Sequence, residues 1–452
     1  MSRDRFGGKL PMTRMGRIST WLVVAFLLTP LFGREVQANT ITAASCQTSD
    51  VQAAVNSASD GDTVVIPNGS CTWTNGITTT KQITIQGASV GGVVITDGAG
   101  GADLLTMTSG NSYHVTIANL KFLPGTGTGN YITMHGTGTM VPLMHDMDFN
   151  LPNFQLKHAV QWLVNGGVIW NTTFESTNNL SGACGSQIGS DSGSLLIKSN
   201  IPWDDASTMG TLDANGDKNV YIEDSTFSYV GQAPDMDDNA RVVLRHDTFS
   251  NISGMLTHGP TSAYGGRQVE IYDNTFSFTN LNRDIQRWVW GRAGTFVITG
   301  NSVDAITSGC HGSRDSWVFI VESATYKTGH GCCTSWMCWH QPGSGSDGTS
   351  GHSYLSTSQT PNDTYQQSDP IYIWGNTGTG ASKFGMNDQP DSCGNGLTTS
   401  DFLHSGTDYF LDAGAKPGWS RYPYPHPLRQ GVGSTSSNSN VAAPSGLTAT
   451  VQ

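Results

Sequence analysis

"VYIEDSTF", residues 220–227, decides the fold because its last six residues are not alone. They recur as IANLKF (117–122), MHDMDF (144–149), IWNTTF (169–174), LRHDTF (244–249), IYDNTF (271–276) and ITGNSV (298–303), with IWGNTG (373–378) as a weaker copy. In chain order the final positions of the seven stronger copies are 27, 25, 53, 22, 27 and 27 residues apart, so a coil takes 22 to 27 residues and the interval of 53 reads as two coils. Such a period belongs to a solenoid.

Residues entering each copy, such as Val220-Tyr221-Ile222 and Val242-Val243-Leu244, carry strand patterning. An Asn, Asp or Ser just before the final Thr-Phe is expected to turn the chain. Each coil is predicted as strand, bend, strand and loop, with rungs stacked about 4.8 Å apart over a shared inner face. The expected fold is all-β, a right-handed single-stranded parallel β-helix over residues 39–430. At its N-terminal end, Ser49 and Asp50 are expected to cap a helix over 50–58 that plugs the coil through Val51, Ala54 and Val55. Strands are predicted over 63–66, 83–86 and 93–96.

The flanks suggest export. Arg14 and Arg17 precede an apolar run over 21–32, and Val36-Gln37-Ala38 offers a cleavage site, so residues 1–38 read as a signal peptide and the mature chain as secreted, with no membrane attachment after cleavage. All eight cysteines follow that site, which favours disulfides. Cys46 and Cys71 look like one staple. The cluster His330, Cys332, Cys333, Cys338 and His340 has either disulfide or metal-binding potential. Residues 431–442 form a Gly/Ser/Asn linker, and "APSGLTATVQ" (443–452) resembles the start of a fibronectin type III module, implying further C-terminal modules. A formal charge of −12 argues against nucleic acid as a partner.

Charge is sparse, at 13% of residues, yet "RWVWGRAG" (287–294) sets two arginines around two tryptophans. Stacked by the repeat, four successive coils would place Asp213, then Asp235, Asp237 and Asp238, then His258, then Arg287 and Arg292 on one edge. Clustered carboxylates repel unless a hard cation lies between them, and Ca²⁺ takes six to eight oxygens. The plainer alternative is a solvated acidic turn. Trp288 and Trp290 alternate with Val289 and share a face, either as solenoid packing or as a platform for sugar rings. Trp336 and Trp339 lie in a long segment, 310–372, that reads as a loop or lid over the same edge. "RYPYPHPLRQG" (421–431) reads as a strap sealing the C-terminal end.

At these residues the chain resembles the pectate lyase superfamily. "NVYIEDSTF", "VVLRHDTFSNISGMLTHG", "VEIYDNTF" and "RWVWGRAGTFVITGN", within residues 219–301, are similar to successive coils of secreted pectate lyases. The resemblance implies Ca²⁺ ligands at Asp235 and Asp238, a carboxylate-gripping Arg292 and a proton-abstracting Arg287, hence Ca²⁺-assisted β-elimination on an acidic, uronate-containing polysaccharide. Asp213, Asp237-Asp238, His258 and Arg292 also follow the order of polygalacturonase-like hydrolases, which would make aspartates the acid and base. A non-catalytic carbohydrate-binding or adhesin solenoid is the third possibility, since the fold hosts many functions.

Overall fold

A computed structural model describes residues 38–108, 114–136, 140–152, 158–176, 193–202, 205, 213–252, 254–257, 266–279, 289–291, 294–305, 343, 369–379 and 404–431. The repeat determines what lies inside. Phe122, Phe149, Phe174, Phe227, Phe249 and Phe276, the last residues of six copies, stand in register on neighbouring strands and are fully buried. Their rings stack 4.7–5.4 Å apart, close to the rung spacing. Val303 continues the column at the seventh copy.

Each coil contributes to three parallel sheets of twelve, nine and eight strands among the described residues. This is a right-handed parallel β-helix. The prediction of two strands per coil missed the third, which in several coils is a short strand after the hexapeptide, such as Ile132–His135 or Met255–Thr257. The 53-residue interval is also one coil, not two: Phe174 pairs directly with Phe227, and Gly167 with Val220. Gly193–Lys198 is that coil's third strand.

The bend lies one residue earlier than expected. The third hexapeptide position is left-handed in every copy: Asn119, Asp146, Asn171, Asp224, His246, Asp273, Gly300 and Gly375 have φ between +48° and +68°. The fourth position instead builds an internal ladder. The backbone N–H of Thr172, Ser225, Asp247, Asn274 and Asn301 each donates to the side-chain oxygen one rung on, ending at Asn376. IWGNTG is thus a true copy at this position.

Helix Thr48–Ser57 packs on the first rungs with Val51, Ala54 and Val55 buried, consistent with a plug. Its N-cap is Gln47, without a side-chain bond, because Asp50 instead accepts from Ser45 Oγ at 2.5 Å. Lys81 Nζ holds the other end, donating to the carbonyls of Val55, Asn56 and Ala58. Cys46 and Cys71 form a disulfide.

The strap lies along the side of the solenoid, not across its end. It covers the outer face of the twelve-stranded sheet, where Leu143, Val168, Trp170, Tyr221, Val243 and Tyr272 pack with Tyr422. Arg429 pairs with Glu223 and Asp224, and Arg421 with Asp273.

Candidate functional site

The eight-stranded sheet keeps a different outer face. Register aligns Thr78, Thr106, Thr133, Gln161, Leu196, Asp235, Leu256 and Trp290 in one row. Alternate positions, such as Ile132, Met134, Val160, Trp162, Leu195, Ile197 and Met236, are buried in the core, so the row belongs outside. His135, Leu163 and Lys198 form a second, parallel row.

Charge concentrates where the second row ends. Strand Asp235–Met236 stops as the chain turns left-handed at Asp238 and Asn239, with φ of 36° and 64°. That turn brings two carboxylates to one lysine: Lys198 Nζ lies 3.1 Å from Asp237 Oδ2 and 2.8 Å from Asp238 Oδ2. Ser199 N–H donates to the Asp238 carbonyl and Asp237 N–H to that of Ile197, which ties the turn to the lysine's strand. Burial pulls the Lys198 pKa down, but the bonds to Asp238 and Asp237 outweigh it and hold the ammonium above its ordinary value. Lys198 is therefore a fixed cation, a third of its side chain exposed, suited to neutralise an anion rather than to take up a proton.

A second polar group flanks Asp235. His158 Nε2 lies 3.1 Å from Gln232 Oε1 and 3.7 Å from Asp235 Oδ2. The ring lies over Gly193, where a Cβ would come within 2.4 Å of His158 Cδ2, so only glycine leaves the imidazole this position.

The expected column therefore has different members. The rung before Asp235 carries Leu196 and Lys198, not Thr211-Leu212-Asp213. Asp213 sits beside the twelve-stranded sheet, 4% exposed, its carboxylate accepting backbone N–H groups of Asp217, Lys218 and Asn219 at 2.9–3.2 Å. Burial raises its pKa despite these bonds. Trp290 stands two rungs beyond Asp235 in the same row. Arg287, Trp288, Arg292, His258, Trp336 and Trp339 lie outside the described residues, as do the cysteines after Cys71. Sequence reasoning missed Lys198 because the misread interval hid its rung, and His158 because the third strand of each coil was not foreseen. The signal was the short apolar run in "SLLIK" (194–198), which ends on a lysine.

The lysine ammonium already lies between Asp237 and Asp238, and among the described residues no group of three or more His, Cys, Asp or Glu side chains converges on a metal position.

A separate cavity of about 210 Å³ lies under the strap, lined by Gln268, Glu270, Thr295, Asp369, Lys416 and Trp419. Trp419 Nε1 and Gln268 Nε2 each donate to Glu270 at 2.9 Å. Burial nevertheless pushes the Glu270 pKa up to about 7.

No protein-family model matches the chain, and no curated protein does. Solved structures similar to it include an alginate lyase from Paenibacillus sp. str. FPU-7, 17% identical over 60% of this chain and 89% of that one, with a TM-score of 0.37. A PL6 alginate lyase in complex with a trisaccharide is 12% identical over 85% of this chain and 83% of its own, with a TM-score of 0.39. Pectin methylesterase PemA from Erwinia chrysanthemi is 11% identical over 79% and 97%, with a TM-score of 0.34.

Proposed function

We propose that the chain is a secreted polysaccharide lyase that binds an acidic, uronate-containing polymer along the outer face of the eight-stranded sheet and cleaves it by β-elimination. The observation that carries this is the Lys198 ammonium, held by Asp237 and Asp238 beside a long row of in-register side chains. A linear row of rungs suits a linear polymer, and elimination needs a fixed cation at the uronate carboxylate so that the adjacent C5–H becomes acidic.

In the proposed reaction a base removes the C5 proton, the C–H electrons form the C4–C5 double bond, and the C4–O4 bond breaks as its oxygen takes a proton. Lys198 and Arg292 neutralise the carboxylate, and Arg287 is the base that the resemblance implies. The lysine and its two aspartates together carry a net negative charge, so Arg292 must supply the rest of the attraction. Trp288 and Trp290 are assigned to the sugar rings. Asp213 is committed to its turn, which disfavours the hydrolytic alternative in which it acts as acid or base.

The test is ultraviolet absorbance of unsaturated uronide on polygalacturonate, pectin, alginate and a neutral glucan, with Ca²⁺ and with chelator. A rise on a polyuronate is expected, and the chelator arm decides whether Ca²⁺ at Asp235, Asp237 or Asp238 adds to Lys198. Lys198→Ala should lower kcat/KM by about 100-fold or more at an unchanged melting temperature. A flat trace sinks the lyase proposal. Reducing ends without absorbance would mean hydrolysis, and binding without either would mean a carbohydrate-binding solenoid.

A further inference from the structure

The strap's grip on the twelve-stranded sheet runs through a buried histidine. His426 is 2% exposed. One ring nitrogen, Nε2, lies 2.9 Å from the carbonyl oxygen of Asp213, which only an N–H can satisfy. The other, Nδ1, accepts the backbone N–H of Leu428 at 3.3 Å. One nitrogen is a donor and the other an acceptor, so the bonding specifies the neutral ring.

The surroundings also resist a charge. Arg245 from the sheet and Arg429 from the strap both face the site, and Glu223, the nearest carboxylate, is already bonded to both guanidinium groups and to His426 N–H. The Asp213 carboxylate is taken by its own turn, and the Tyr221 ring lies 4.4 Å from the imidazole. Burial lowers the His426 pKa further than the Asp213 carbonyl and Glu223 raise it.

We propose that His426 is an acid-released latch on the strap and the segment leading into it, residues 416–431. Protonation puts a second N–H where Nδ1 accepted one, which breaks the bond to Leu428 and adds a third cation beside Arg245 and Arg429. In the released strap the imidazole has its ordinary pKa of about 6.5, and in the docked strap a lower one. The His426 contribution to docking is therefore largest above that value and weakens as pH falls below it, by up to about thirtyfold at pH 5. Release uncovers the aromatic outer face of the sheet and the cavity beneath Trp419.

Backbone amide exchange of peptides within 416–431, measured on the full chain at pH 7.5 and 5.0 and normalised to intrinsic rates, tests this. All variants carry Glu270→Gln, which removes the opposing titration of the carboxyl bonded to Trp419 Nε1. The parent should open more at pH 5.0 than at 7.5, by up to about thirtyfold. With His426→Gln added, openness should be the same at both values. With Arg429→Gln added instead, which removes an ion pair but keeps the imidazole, the strap should be looser throughout and retain the acid step. Equal protection of the parent at the two pH values overturns the latch, as does an acid step that survives when His426→Gln is added. Should that variant fail to fold, the imidazole titration in wild type decides: a pKa at or above about 6.5 in the docked state overturns the proposal.

Discussion

Asp247 occupies the ladder position that asparagine holds in the next three rungs. Asn274, Asn301 and Asn376 each donate Nδ2–H to a carbonyl of the preceding coil, those of Leu244, Ile271 and Ile298. The same pattern assigns Asp247 to the carbonyl of Ile222, but an ionised carboxylate has no hydrogen to give, and Asp247 Oδ2 is buried with no hydrogen-bond partner among the described residues. Burial, with Glu223 and Asp224 nearby, pushes its pKa well above the ordinary value, although the Ser225 N–H opposes this. A carboxyl whose pKa rises on folding contributes most below its unfolded pKa, and that contribution is lost as pH rises through the folded value. Asp247→Asn should therefore stabilise the protein, by about 1–3 kcal/mol at neutral pH and by little at pH 4, in denaturant melts. The alternative, equal stabilisation at both values, would mean that folding leaves the Asp247 pKa where it is in the unfolded chain. This ladder was only half legible: the polar fourth position is plain in the repeat, but whether it bends the chain or pairs inside depends on a backbone sign that side-chain type leaves open between adjacent Asp and Asn residues.

At the scale of elements, the N-terminal helix shows how a distant residue replaces a local cap. Lys81 closes three carbonyls at the helix end, bonds that no residue of the helix itself supplies. Lys81→Met should keep the aliphatic stem and cost about 1–2 kcal/mol, read as faster amide exchange through the helix while the later coils stay protected. The helix was foreseeable from Val51, Ala54 and Val55, because amphipathic spacing is local information. Its caps were not, because Lys81 lies on another element and Asp50 bonds backwards to Ser45. The same limit explains the misplaced rung. A count of residues between repeats cannot tell one coil with a long excursion from two short ones, and only pairing of Phe174 with Phe227 distinguishes them. Once it does, Lys198 and Asp237 become neighbours and Asp213 leaves the group.

Across the whole molecule, the strap joins parts of the sheet far apart in sequence, and Glu270 makes that joint sensitive to base as His426 does to acid. Its pKa rises from 4.5 to about 7, so its contribution is complete below pH 4.5 and is lost as pH climbs through 7, a change of about 3 kcal/mol. Glu270→Gln should flatten the fall in melting temperature between pH 5 and 8, and a slope identical to wild type would show that Glu270 is not the group responsible. The solenoid was legible between Phe122 and Phe276 because the period there repeats one physical requirement, an aromatic ring under the bend, although the third strand and one coil count were missed. The charged site was legible only where its residues fell on that repeat. Such regularity has a hazard: a rung that skips a coil still offers phenylalanine to phenylalanine and asparagine to asparagine, so the wall alone tolerates a miscount. The strap does not. Tyr424 and Arg429 bind Asp224 while Arg421 binds Asp273, turn residues two coils apart, about 10 Å along the axis. A chain that had dropped or doubled the coil between them would hold those two aspartates at the wrong separation, and the last segment to dock would have nowhere to close. The strap thus works as a gauge that accepts only the correctly counted solenoid.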